Sequence, residues 1–164
     1  MSVARAKKKK PKKDPAANPH TWESRKITEA IRLVCAEAVW FGFNYYKFGP
    51  TRRQRIIDSF WDEMKVARVL GLDALSAAKR SNKLVDRDIV KECRVIADAY
   101  IREYYMMCIS VMIIVLKKLK CSKKLLNTYI MCVLYQAKHD SAYDFIAAVA
   151  DATGYNAARD IIWS

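Results

Sequence analysis

A chain of 164 residues with 52% apolar composition has side chains enough for one hydrophobic core, which excludes a wholly disordered protein. Its 30 lysines and arginines against 17 acids leave a formal net charge of +13; Arg5, Lys7 to Lys10, Lys12 and Lys13, less Asp14, carry six of it and residues 21–164 the other seven. Such an excess selects polyanionic partners, nucleic acid ahead of an anionic membrane or an acidic protein, and says nothing about fold.

The first element is residues 1–20, read as a disordered Lys-rich tail. Like charges repel in AKKKKPKKDP, and Pro11, Pro15 and Pro19 forbid a continuous helix, so no packed core forms there. Lys7, Lys8, Lys9, Lys10, Lys12 and Lys13 are candidate phosphate contacts; the plain alternative is a solubilising terminus. In a eukaryotic cell the run would serve as a nuclear address, and in a bacterium the expectation is the cytoplasm. No apolar segment follows the charges, so secretion is not expected, and five cysteines without CxxC spacing read as buried thiols of a reducing compartment.

Residues 21–164 read as an all-α, single-domain bundle of about six helices, because glycine is scarce and proline is absent after Pro50. A first helix is expected from Trp22 to Lys47, capped by Thr21, with Ile27, Ile31, Val34, Ala38 and Phe41 on one face and Gly49-Pro50 ending it. A second is expected from Arg52 to Leu70 after a cap at Thr51, with Gly71 as its stop. A short helix or loop follows over 72–83. One long helix is then expected from Asp86 to Lys120, apolar all round in its second half. Its apolar run Tyr104 to Leu116 is shorter than the roughly 20 residues of a membrane span, so no membrane is expected, and the core it needs would close within one chain or across a homodimer. Ser122 and Ser141 are expected to cap two further helices, and Asn156 a final short turn ending in Ile161, Ile162 and Trp163.

Within these elements the segment FGPTRRQR runs against local electrostatics. A helix N-terminus favours acids, yet Arg52, Arg53 and Arg55 stand in the expected first turn, which predicts something negative beside them. Guanidinium forks and free N–H groups at that end would form a phosphate clamp. Alternatively Arg55 pairs with Asp58 while Arg52 and Arg53 lie solvated or on neighbouring rings. Val66 to Asn82 resembles the core of a helix-turn-helix, with Ala67, Gly71 and Leu72 at the required spacing, Asp73 as cap and Lys79 and Arg80 toward a DNA backbone. It departs from that motif at Ala77 and Arg80, where branched apolar residues are usual, and the favoured alternative is a helix ending at Gly71 followed by a basic connector. In KKLKCSKK, lysines at the end of a helix suit its exposed carbonyls, whereas Lys123 and Lys124 open the next one and are kept as anion contacts.

Signals for catalysis are poor. His20 and His139 cannot build a metal triad, Asp58, Asp62 and Glu63 on a solvated face have an ordinary explanation, and no phosphate-loop or nucleophile-elbow motif occurs. No enzyme activity and no cofactor are expected.

The run YYKFGPTRRQRIIDSFWDEM, followed by LVDRDIVKE, resembles short uncharacterised helical proteins of phages and prophages of Gram-positive bacteria over Tyr45 to Glu92. The resemblance implies a mobile-element accessory protein in a bacterial host and brings no site residues with it. The functional expectation is therefore a non-enzymatic binder of DNA or RNA phosphates; Tyr45, Tyr46 and Phe48 would stack on bases if exposed, with core packing as their favoured use. The alternative is a protein-interaction module, such as an inhibitor of a host protein with an acidic or nucleic-acid-binding surface.

Overall fold

In a computed structural model, which describes residues 22–96, 98–138 and 142–160, the chain is all-α, and no strand occurs among the described residues. The six N-terminal lysines, Thr21, His139, Ser141 and Ile161 to Trp163 lie outside the described residues. Eight α-helices are present there instead of about six: α1 Trp22–Tyr46, α2 Pro50–Val69, α3 Ala74–Ser81, α4 Ile89–Glu92, α5 Ala99–Lys118, α6 Lys123–Ala137, α7 Ala142–Thr153 and α8 Ala157–Asp160.

The count rises because α8 follows Asn156, whose side chain accepts from Ala158 N–H, and because aspartate caps divide the middle of the chain. The long helix expected from Asp86 to Lys120 is divided by a cap at Asp98, whose carboxylate accepts from the N–H groups of Tyr100 and Ile101 at 2.9 and 3.1 Å. Arg102 secures the break by donating Nε to the Ile96 carbonyl at 2.8 Å. Asp88 caps α4 in the same way, accepting from Val90 and Lys91, and Asp73 caps α3 through Ser76 N–H at 2.7 Å. A 3-10 turn over Cys93–Val95 links α4 to the break.

Two helix ends close in the Schellman manner. At the end of α2, Leu72 N–H reaches the Ala67 carbonyl and Gly71 N–H the Arg68 carbonyl, with Gly71 at φ +63°. At the end of α5, Cys121 and Lys120 make the same two bonds to Leu116 and Lys117, but the left-handed residue, φ +66°, is Lys120. The start of α2 lies earlier than its sequence suggests: Gly49 is the cap and Pro50 the first helical residue, because proline gives up no hydrogen bond there.

Two helices form the axis of the bundle. The apolar half of α5 buries Tyr105, Met106, Cys108 to Ile113, Val115 and Leu116 inside the one chain, which accounts for a helix otherwise long and apolar enough to cross a bilayer. Its companion is α1, and here the one-sided pattern read from sequence is incomplete. Every residue from Leu33 to Val39 is buried, since α2, α5, α6, α7 and α8 all pack on α1. Tyr129 of α6 ties the centre, its phenol donating to the Val34 carbonyl at 2.9 Å while its ring meets Phe41 edge-on. Cys35, Cys93, Cys108 and Cys121 are buried free thiols and Cys132 is half-buried.

Candidate nucleic-acid interface

The arginines at the start of α2 divide into two roles. Arg53 donates Nη1 to the Thr153 carbonyl at 2.5 Å, and its guanidinium lies 5.8 Å from the centre of the Tyr155 ring. The negative group that its position demands is thus the carbonyl end of α7, supplied by the fold. Arg52 is exposed and covers Phe48, 5.5 Å from the ring centre. Arg55 is exposed and does not pair with Asp58, which instead accepts from Gln54 Nε2 at 2.9 Å.

The lysines of the α5–α6 turn also divide. Lys118 pairs with Glu63 of α2, and Lys123 with Asp86 at 2.7 Å, which holds the Asp86 carboxyl below its usual range through that bond. Lys124 is exposed, and it makes no ion pair among the described residues. Burial, and next the neighbouring Cys121, raise the Tyr46 phenol above its usual range, which places the end of α1 against this turn. Lys79 and Arg80 are exposed at the end of α3, but the fold does not bring them to Arg52. Arg80 shares a narrow crevice with Ala67, whereas Arg52 lies 15 residues earlier on α2, about 22 Å along the axis. The helix-turn-helix segment has its turn at Gly71 and a buried Ala67. Its second helix is eight residues long and packs Ala77, Ala78 and Ser81 inward, Ser81 Oγ donating to the Ser110 carbonyl at 2.7 Å. Of the acidic trio, Asp58 and Glu63 are engaged as above, and no group of three His, Cys, Asp or Glu able to hold a metal occurs among the described residues.

A cleft of about 660 Å³ between α1, α6 and α7 escaped the sequence reading. Its walls are Trp40, Phe41 and Tyr45 of α1, Met131, Cys132 and Tyr135 of α6, and Phe145 of α7; Asn44, Thr128 and Gln136 supply polar groups, and no basic residue lines it among the described residues. At its floor is Glu37, 2% exposed, whose carboxyl is pushed by burial from 4.5 up to about 8 and is therefore neutral at pH 7. The same surroundings raise the Tyr129 phenol well above its usual range and raise the Cys132 thiol, in both cases mainly by burial. Tyr45 and Tyr135 stand at the mouth, 57% and 60% exposed. The signal in the sequence was the single acid of VCAEAVWF, the one charged residue in an apolar run.

A second, polar cleft adjoins the first. Asp86, Arg87, Lys124 and Asn127 line it together with Thr128 and Met131, and these last two also line the aromatic cleft. Arg87 is steadied by Glu92 at 2.9 Å, and Asn127 Oδ1 accepts the Asp86 N–H at 3.0 Å. An aromatic trough thus runs into a basic shelf along one face of α6. No family model matches this chain, and neither a curated protein nor a solved structure matches it.

Proposed function

We propose that this chain is a non-enzymatic nucleic-acid-binding accessory protein that contacts phosphates through Arg52, Arg55 and Lys124, assisted by its Lys-rich N-terminus. The observation that carries the reading is electrostatic. These three cations are exposed, and none has an ion pair among the described residues, whereas Arg53, Lys118 and Lys123 are taken up by the fold. Surface cations left uncompensated on a chain of net charge +13 are available to displace counterions from a phosphate backbone. Lys79 and Arg80 form a separate exposed basic pair on α3. The mobile-element context comes from the Tyr45 to Glu92 resemblance alone.

Affinity for duplex DNA should fall with salt by about 0.9 log units per log salt for each phosphate contacted. Replacing Arg52, Arg55 and Lys124 together by alanine should lower that slope by roughly 2 to 3, read by fluorescence anisotropy across a salt series. Absence of any binding to DNA or RNA at low salt sinks the reading.

A protein-interaction module is the second reading, and one observation favours it. Val66, Val69, Leu70 and Leu75 are all exposed around the α2–α3 turn, Val69 at 86%. A pull-down from the native host that survives nuclease treatment, and is lost when Val69 and Leu70 become serine, would support that reading over the first.

A further inference from the structure

We propose that the aromatic cleft takes an unpaired nucleobase of single-stranded DNA or RNA, with the adjoining basic shelf receiving the phosphate of the same strand. The proposal rests on the nucleic-acid reading above and narrows it to single strands. Three features support it.

The cleft has the size of a small-molecule site, about 660 Å³, and is lined by the rings of Trp40, Tyr45, Tyr135 and Phe145. Trp40 stacks on Phe43 and Tyr45 on Phe41, which leaves each of the two a second face, and any base can stack on an aromatic face. Its polar groups are few and suited to the edge of a base. A neutral carboxyl both donates and accepts a hydrogen bond, as do the amides of Asn44 and Gln136. In a duplex those base edges are already paired and stacked within the helix, so only an unpaired base can use them.

The second feature is continuity. Thr128 and Met131 belong to both clefts, and Lys124 precedes Thr128 by one helical turn, about 6 Å along α6. A flat apolar group and an anion joined at short range is the shape of a nucleotide. The third is charge. An ionised carboxylate at the floor would repel a polyanion, and Glu37 is neutral at pH 7 because it is buried. Among the described residues, the ionisable groups around it are Tyr129 and Cys132 of α6 and Tyr45 and Tyr135 at the mouth; of α7 only Phe145 lines the cleft, and Asp86, Arg87, Lys123 and Lys124 stand on the shelf.

The test uses the full chain with labelled strands containing only adenine and cytosine, as DNA and as RNA, each free and annealed to its complement. Single strands should bind at least about tenfold tighter than duplex, and Tyr135→Ala should remove that preference while leaving duplex binding unchanged. Wild-type affinity for single strands should fall about tenfold from pH 7 to pH 9 as Glu37 loses its proton, and Glu37→Gln, which keeps a donor and an acceptor, should flatten the profile. Better binding of the DNA or of the RNA strand identifies the natural source of the base. Equal affinity for single strands and duplex, or the same pH profile in wild type and Glu37→Gln, overturns the base site and leaves phosphate binding intact. Failure of every strand to bind overturns both readings.

Discussion

Glu37 shows how much a single buried carboxyl can weigh. Its pKa is raised from 4.5 to about 8, so the folded chain keeps a proton that the unfolded chain releases between those values. Stability from this group is therefore full below about pH 4.5, declines as pH rises toward about 8, and is level beyond. At pH 7 the loss amounts to about 3 kcal/mol. Glu37→Gln copies the neutral form, so it should be more stable than wild type near pH 7 and should lose the decline attributable to residue 37, as read from urea midpoints across pH. Arg53 is the opposite case, a charge that fastens the fold. Its bond to the Thr153 carbonyl is a charged hydrogen bond, half-buried, across 100 residues of sequence. Arg53→Ala should cost about 1 to 3 kcal/mol in denaturant unfolding, whereas Arg52→Ala should cost less than about 0.5 kcal/mol and act on ligand binding.

At the scale of elements, caps explain both the agreement and the difference between sequence and structure. Gly71, Asp73 and Ser122 are recognisable because their chemistry is local and each sits at an end of apolar periodicity. Asp88 and Asp98 fall inside a pattern that remains helical on both sides, so periodicity runs through the breaks they make. The arginine-first start of α2 was likewise readable as an electrostatic anomaly, but its resolution by the end of α7 depends on tertiary contact. Glu37 carries a signal in the sequence as the one charged residue of its apolar run, yet the opposite wall of its cleft, with Met131, Cys132, Tyr135 and Phe145, comes from α6 and α7, 90 or more residues away in sequence. Lys120 offers a prediction at this scale. A lysine at φ +66° bears a steric cost that glycine does not, so Lys120→Gly should raise stability by about 1 kcal/mol, measured by thermal unfolding.

For the whole molecule, a basic body and an acid-floored cleft coexist because burial keeps the acid neutral. The all-α class was legible from the scarcity of glycine and the absence of proline after Pro50, while the position of α1 was not. Periodicity places its apolar residues on one face, and only the packing of five other helices around it makes every side of Leu33 to Val39 an inside. That central place has a consequence for how the protein is made. The helix that must be enclosed leaves the ribosome before every helix that encloses it, and of these only α2 follows closely, whereas α5 to α8 begin at Ala99 or later. At synthesis rates of about 5 to 20 residues per second, the segment from Leu33 to Val39 waits several seconds before its covering helices exist. Nascent chains halted before α5 should therefore bind chaperones or aggregate through α1, and the order of the sequence makes the centre of the finished fold the most exposed part of the unfinished one.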